Sequence, residues 1–197
     1  MDRRNVKNIR IIRRLLDDPR RKWTKYGLAK ASGCSRQWVI QFLRSLEGRN
    51  VVKGTRVRSV LGLAKLGAGM LPEPIKVANM YHPDPAGLLG RLGDGCAVTT
   101  YFGENQLTHH LFLARYDAYV TEEAFRAARE AVSKEGLIGG GNLRLMIPVD
   151  DMIIKEASNI RGVRIVSVGQ LMLDLVKEGG VAMQAAEEMV KRNVCQG

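Results

Sequence analysis

The chain has 197 residues, of which 45% are hydrophobic and 26% charged, a globular composition that excludes a disordered or fibrous protein. Its net charge of +11 is unevenly distributed: residues 1–65 hold 18 Lys and Arg against 4 Asp and Glu, whereas residues 66–197 hold 13 against 16. A basic segment joined to a nearly neutral one indicates a polyanion as partner, since a general solubility effect would not stop at a boundary.

The three cysteines, Cys34, Cys96 and Cys195, are far apart and in no CxxC spacing. This pattern argues against a disulfide framework or a zinc site and is typical of a reducing compartment. The N-terminal stretch has no uninterrupted apolar core, and no apolar run is long enough to span a membrane. We therefore expect a cytoplasmic protein with no membrane association.

The first elements of the chain are predicted to be two helices. Residues 5–17 carry apolar side chains at helical spacing, and the helix ends before Pro19 because proline cannot continue it. After a basic loop, Thr24 is a suitable N-cap for a short helix to about residue 31, and Gly33 is suited to the turn that follows.

A third helix and a hairpin complete the basic segment. Ser35 is predicted to cap a helix over residues 36–47, whose apolar residues fall on one side. Residues 50–60, "NVVKGTRVRSV", predict two short strands around a glycine turn. This order of elements predicts a winged helix-turn-helix DNA-binding domain over residues 1–65.

The polar face of the third helix is predicted to read DNA. Gln can make a bidentate bond to adenine and Arg can do so to guanine, so the helix is expected to place its polar side chains in or beside the major groove. Backbone phosphates would be met by Lys25, by the start of the helix at Ser35, and by the hairpin. The predicted DNA-binding residues are Lys25, Ser35, Arg36, Gln37, Gln41, Arg44, Lys53, Arg56 and Arg58.

Two alternatives remain open for this segment. A winged helix can instead serve protein contact, in which case Gln37 and Gln41 would simply be solvated, although the charge of the segment weighs against this use. Trp38 could pack on the preceding helix, stack on the DNA backbone or meet a partner, and packing is the favoured interpretation.

The remainder of the chain, residues 75–197, is predicted to be a mixed α/β C-terminal domain, which makes the fold class α+β. After an irregular stretch punctuated by "LPEP" and "HPDPAG", strands are expected at "CAVTTYF", "ARYDAYV", "NLRLMIPV" and "VRIVSV". Helices are expected at residues 122–135, where Thr121 can cap, and at "QLMLDLVKEG" and "AMQAAEEMVKRN" near the end.

No pattern in this domain predicts catalysis, and we expect no enzyme activity, metal or cofactor. The glycine-rich "GLIGGG" follows a helix and enters a strand, the reverse of a phosphate loop, and predicts a turn. His109 and His110 are adjacent and lack ligand partners at metal spacing. Asp150, Asp151 and Asp174 are the acids that suggest a metal site. In "LMLDLV", however, Asp174 lacks the second acid two positions on that a nucleotidyltransferase metal site requires. Asp174 is therefore expected to bond a backbone or basic group.

Three short motifs follow one another in the C-terminal part of the chain. The first is a Thr-Tyr-x-x-Glu-Asn-like segment, and the second is a Gly-Asn entry to a strand. The third is a "Gln-x-x-x-Asp-Leu" helix followed by "Ala-Ala-Glu". Their residues are Thr100, Tyr101, Glu104, Asn105, Gly141, Asn142, Gln170, Asp174, Leu175, Ala185, Ala186 and Glu187. In this order the motifs resemble those of the AbiEi-type antitoxin family of type IV toxin–antitoxin systems, more closely its archaeal winged-helix members.

The resemblance implies a transcriptional regulator that represses its own operon, with a C-terminal domain that opposes a nucleotidyltransferase-like toxin. Together with the charge and the predicted motif, it leads us to expect a sequence-specific double-stranded DNA-binding regulator, with a homodimer as a possible form. The alternatives are an antitoxin that acts mainly by protein interaction through the C-terminal domain and, less favoured, an enzyme acting on nucleotides or nucleic acid.

Overall fold

The computed structural model describes residues 3–192 and combines helices with a mixed sheet, so the fold class is α+β, as predicted. The chain divides into two compact units. The first, here called the helical unit, comprises Met1–Pro72 and Val168–Gly197, and the second, the sheet unit, comprises Glu73–Ser167. The helical unit is therefore discontinuous in sequence, and the sheet unit is inserted in it.

Three helices and a hairpin open the helical unit. They are α1 (Arg3–Asp17), α2 (Lys25–Ser32), α3 (Arg36–Gly48), β1 (Val52–Lys53) and β2 (Arg56–Val57), followed by α4 (Val60–Ala68). The first three helices begin and end within two residues of the predicted positions, because their caps and breakers are local signals. The two strands pair antiparallel over only two residue pairs.

The sheet unit holds seven strands and four α-helices within residues 73–167. The strands are β3 (Lys76–Tyr81), β4 (Cys96–Thr99), β5 (Tyr116–Val120), β6 (Leu137–Ile138), β7 (Leu143–Ile147), β8 (Ser158–Ile160) and β9 (Val163–Ile165). The helices are α5 (Pro85–Arg91), α6 (Thr100–Leu107), α7 (Glu122–Glu135) and α8 (Met152–Lys155).

The strands form one mixed sheet in the order β6-β3-β7-β5-β4-β9-β8. The pairs β5–β7 and β4–β9 are parallel, and the other pairs are antiparallel. The core of the unit lies between the sheet and α5 and α7, where inward-facing strand residues meet the apolar stripe of α7. Its most deeply buried members include Met80, Ala118, Val120, Phe125, Ala128, Val132, Leu143 and Leu145.

The sheet unit differs from the sequence prediction in the short elements β6, α8 and β8, which were not predicted, and in two longer stretches. The expected strand "CAVTTYF" ends at Thr99, and α6 begins at Thr100, which has a positive φ of 44°. The Thr100 hydroxyl donates to the buried Asp117 carboxylate, and this contact accompanies the turn of the chain out of the sheet. The stretch predicted to be irregular contains both β3 and α5, the latter with Asp84 as N-cap and Pro85 in its first turn.

The chain returns to the helical unit through α9 (Val168–Glu178) and α10 (Gly180–Lys191). Helix α9 packs against α1, α4 and α10, and all residues from Gly169 to Leu175 are buried. The predicted C-terminal domain of residues 75–197 assigned these two helices to the α/β body, whereas in the structure they complete the core around the N-terminal helices. Among residues 3–192, no helix combines the length and apolarity needed to cross a bilayer.

Candidate nucleic-acid interface

Helix α3 separates an apolar face from a polar one. Its apolar face buries Val39, Phe42, Leu43 and Leu46. Its start is fixed by Ser35, whose hydroxyl accepts a hydrogen bond from the Trp38 N–H at 3.2 Å. The preceding turn uses Gly33 at a φ of 63°, where a side chain would be strained. These local features orient the polar face of α3 away from the core.

The opposite face of α3 carries the predicted base-reading side chains. Arg36, Gln37, Gln41 and Arg44 are all exposed. At about 100° per residue, Gln37, Gln41 and Arg44 fall within about 60° of one another around the helix axis. Three long hydrogen-bonding side chains therefore share one narrow exposed stripe, with Arg36 in the first turn beside it.

The hairpin that follows carries the remaining predicted cations. Lys53 lies in β1 and Arg56 in β2, where the two residues are cross-strand partners, and Arg58 follows β2. All three side chains are exposed. Lys25 is the first residue of α2, and Ser35 is the N-cap of α3, so both lie at exposed helix starts. All nine predicted DNA-binding residues thus belong to the helical unit and face solvent.

The turn of the hairpin is tied to two neighbouring segments. The Gly54 N–H donates to the Glu47 carboxylate in the last turn of α3, at 2.5 Å. The Thr55 hydroxyl donates to the Trp23 carbonyl before α2, at 2.7 Å. Sequence patterns did not identify Glu47 or Thr55, because neither contact follows from the periodicity of the element that contains the residue.

Trp38 packs, as favoured from the sequence, but its polar partner lies on α1 rather than α2. The indole N–H donates to the Asn8 side chain at 3.0 Å, and the Lys7 ammonium lies 5.2 Å from the ring centroid. Lys7 is itself exposed. The structure therefore brings a cation of α1 to the first turn of α3, which the sequence did not predict.

The first two motifs of the family resemblance hold the backbone of the sheet unit. The Glu104 carboxylate, fully buried, accepts from the Leu111 N–H at 2.8 Å and from the Thr108 hydroxyl. The Asn105 amide donates to the Leu111 carbonyl at 2.9 Å. In the same way the Asn142 side chain accepts from the His82 N–H and donates to the His82 carbonyl, at 3.1 and 2.9 Å.

The third motif holds the helical unit together. Arg13 on α1 donates to the Gln170 side-chain oxygen at 3.3 Å, and the Gln170 amide donates to Asp174 at 2.8 Å. All three residues are buried. The Gln170 amide is thus one partner of Asp174, which was expected to bond a backbone or basic group. The motif therefore connects the first helix of the unit to the helix that returns after the insertion.

A second buried cluster lies on the sheet. Asp117 on β5 is fully buried and is paired with Arg115 and Arg144, each of which approaches both carboxylate oxygens, at distances from 2.6 to 3.1 Å. The Arg115 and Arg144 side chains are 27% and 23% exposed, so the cluster reaches the surface. The carboxylate balances one of the two positive charges and sets the orientation of both guanidinium groups.

The acids considered for a metal site, and His109, have other partners. Asp150 accepts from the Met152 N–H at 3.2 Å, and Asp151 pairs with Lys155. His109 has a φ of 55° and lies 3.2 Å from Arg161, on an exposed loop. Across residues 3–192, no group of three or more His, Cys, Asp or Glu is arranged to hold a metal ion. The glycine-rich stretch, residues 136–141, follows α7 and contains the two-residue strand β6 before the chain enters β7.

Comparison with protein-family models, with curated proteins and with solved structures finds no match to this chain.

Proposed function

We propose that the protein is a sequence-specific double-stranded DNA-binding transcriptional regulator that uses the helical unit as a winged helix-turn-helix. The observation that carries the proposal is the coincidence of charge and exposure. The segment with a net charge of +14 is the one in which a capped helix and a hairpin expose all nine predicted contact residues. Such a surface suits a polyanion with regularly spaced phosphates.

In the proposed complex α3 enters the major groove. Gln37, Gln41 and Arg44 share the exposed stripe and would meet base edges, since amide and guanidinium groups pair with adenine and guanine in bidentate geometry. The buried apolar face of α3 holds the helix against the rest of the unit while the polar stripe is in contact with DNA. Base preference would therefore depend on this stripe.

The phosphates on either side would be met by the helix starts and the hairpin. The N–H groups at the first turn of α3 and the cation of Lys25 suit the phosphate backbone, as do Lys53, Arg56 and Arg58. Lys7, held next to Trp38, adds a cation from α1. These contacts would fix the register of the protein on DNA without reading its sequence.

The experiment compares binding of the full chain to a duplex from its own promoter and to a scrambled duplex, across salt concentrations. We expect the promoter duplex to bind more tightly than the scrambled one. The logarithm of the binding constant should fall with the logarithm of the salt concentration, with a slope that corresponds to several neutralised phosphates. The Gln41→Ala variant should lose about 1–3 kcal/mol of base preference at one position of the duplex. The Arg56→Ala variant should bind all duplexes more weakly by the same factor, and its salt slope should be lower by about one. If the wild type binds both duplexes equally and with a steep dependence on salt, the protein has a basic surface without sequence specificity, and the proposal is wrong.

Autorepression is the form of regulation that the family resemblance implies. The three motifs that carry this resemblance lie in contacts that hold the backbone and the buried core, in both units. They support a shared architecture rather than a shared active site. A palindromic operator with half-sites one helical turn apart would require two copies of the chain, so the symmetry of the promoter sequence also tests for a homodimer.

A second candidate function is favoured by an exposed apolar loop of the sheet unit. Phe112 is 94% exposed and Leu113 40% exposed, and the loop is held at its base by the contacts of Glu104 and Asn105 to Leu111. An aromatic side chain presented on a tethered loop is typical of an anchor for a protein partner. We propose as the alternative that this loop binds a nucleotidyltransferase-like toxin, as antitoxin activity would require.

This alternative is tested with the full chain rather than a fragment. The wild type and a Phe112→Ser variant are each co-expressed with the protein encoded beside them, and the complexes are compared by size-exclusion chromatography. Loss of a complex in the variant, with DNA binding unchanged, would support protein interaction through the sheet unit. A complex that forms equally well with both chains would exclude the loop as the contact.

A further inference from the structure

One acidic residue stands out in the basic segment. Between Asp18 and Glu73 the chain has 12 Lys and Arg, and Glu47 is its single Asp or Glu. Glu47 is exposed and lies in α3, the helix that carries the polar stripe. A negative charge at this place opposes the approach of DNA, so its position calls for a structural reason.

The reason is a contact to the hairpin. The Glu47 carboxylate accepts the Gly54 N–H at 2.5 Å, and Gly54 has a φ of 59° at the tip of the turn between β1 and β2. A turn of this kind suits glycine, because the φ at this position is positive. The carboxylate thus holds the tip of the hairpin against the last turn of α3.

The hairpin needs such a tether because its own pairing is short. Strands β1 and β2 share two residue pairs, Val52 with Val57 and Lys53 with Arg56. An isolated hairpin, even a longer one, is only marginally stable in water. The Thr55 hydroxyl, which donates to the Trp23 carbonyl at 2.7 Å, holds the other side of the same turn. Buried Val52 and the backbone bonds of Val51 to Leu46 and Arg58 fix the base of the hairpin. At its tip, the two side-chain contacts add to this and hold the turn beside Lys53 and Arg56.

Resting on the DNA-binding function proposed above, we infer that Glu47 is a positioning residue. Its carboxylate fixes the hairpin relative to α3, so that the hairpin cations and the α3 stripe meet one DNA duplex in a single register. Glu47 then favours binding to a polyanion although it carries the same sign of charge. Glu47 acts through the hairpin and has no contact of its own with DNA.

Two effects oppose each other when Glu47 is replaced. Removal of an exposed negative charge alone should tighten DNA binding about twofold, because exposed charges interact weakly in water and salt. Release of the hairpin should weaken binding by roughly three- to tenfold, since Lys53 and Arg56 must then be ordered again on each binding event. The two effects have opposite signs, so the direction of the change separates a positioning residue from a simple charge.

The test uses the full chain and a fluorescein-labelled, mixed-sequence duplex two helical turns long. Binding is measured by fluorescence anisotropy for Glu47→Ala, Glu47→Gln and Thr55→Val. Glu47→Gln loses the charge but keeps an oxygen that accepts the Gly54 N–H, so we expect an affinity within about twofold of the wild type. Glu47→Ala should bind roughly three- to tenfold more weakly, and Thr55→Val, with no change of charge, should also bind more weakly.

A second measurement follows the hairpin without DNA. Hydrogen exchange of the Gly54 amide should be slow in the wild type and in Glu47→Gln and fast in Glu47→Ala, with equal melting temperatures in all three chains. If both Glu47 variants tighten binding by the same factor, Glu47 is only a charge and the inference is overturned, while the proposed function stands. If the wild type shows no saturable DNA binding, the proposed function fails, and the inference fails with it.

Discussion

The close approach of α1 and α9 makes Gly169→Ala the most informative single substitution for the helical unit. A Cβ at position 169 would lie 2.3 Å from the Arg13 carbonyl oxygen and 2.9 Å from the Asp17 carboxylate. The first of these atoms belongs to the backbone, so no side-chain rotation relieves the overlap. The Gly169 N–H also donates to Asp17 at 2.8 Å, and a displaced helix would stretch this bond.

The size of the effect follows from these contacts. Overpacking against a backbone atom costs about 1–3 kcal/mol, and a weakened bond to a carboxylate adds about 1 kcal/mol. Together they should lower the free energy of unfolding of the helical unit by about 2–4 kcal/mol, which for a unit of about 100 residues corresponds to a fall in Tm of roughly 10–20 °C. Gly48→Ala is the matched control, because a Cβ at that position of α3 has no neighbour within 4 Å.

The assay uses the two tryptophans of the chain, Trp23 and Trp38, both of which lie in the helical unit. Urea unfolding followed by tryptophan fluorescence therefore reports on that unit. Gly48→Ala should leave the free energy of unfolding unchanged or raise it by up to about 1 kcal/mol, because the helical backbone accepts alanine without strain. If Gly169→Ala is as stable as Gly48→Ala, α1 and α9 are not in contact at this position, and the discontinuous helical unit is refuted.

Two further predictions concern the sheet unit. Asp117→Asn should lower the free energy of unfolding by about 2–4 kcal/mol, measured by calorimetry, because it removes a buried carboxylate from two arginines that are only partly solvated; an unchanged melting temperature would contradict this. Burial raises the pKa of Cys96 to about 12 from 9.0, so between these pH values its thiol stays protonated in the folded chain and ionises in the unfolded one. The free energy of unfolding should therefore fall as the pH rises from 9.0 to about 12, because the unfolded chain releases the Cys96 proton and the folded chain keeps it. In a Cys195→Ser background, iodoacetamide at pH 9 should alkylate Cys34 before Cys96 in a mass-resolved time course, and the reverse order would contradict the burial of Cys96.

The helices of the N-terminal segment could be predicted because their determinants are local. Thr24 and Ser35 each accept an N–H three residues ahead, and Gly33 adopts the left-handed conformation that a side chain would disfavour. Each of these signals lies directly beside the helix end that it fixes. The exposed stripe of α3 follows from the same periodicity, since burial of Val39 and Leu43 leaves Gln41 outside.

The tertiary assignments that could not be predicted depend on residues distant in sequence. Arg13 and Gln170, which are joined by a hydrogen bond, are 157 positions apart in sequence. The Asn142 side chain bonds the backbone of His82, which lies 60 positions away. Nothing local in "QLMLDLV" distinguishes a helix of the α/β body from a helix that returns to α1, because both would bury one apolar face. The β-branched "VTT" favours a strand, whereas the strand ends at Thr99 and the next residue, Thr100, bonds Asp117, which is 17 positions away.

The insertion of the sheet unit has a consequence for the order of synthesis. Helices α1 and α4 leave the ribosome before α9 has been made, and the whole of Glu73–Ser167 is translated in between. At about 5–20 residues per second this interval lasts roughly 5–20 seconds. During that time the apolar faces of α1 and α4 have no α9 to pack against. A chain terminated anywhere within the insertion would carry the complete basic surface on helices that lack their central packing partner, and it would be a substrate for chaperones and proteases.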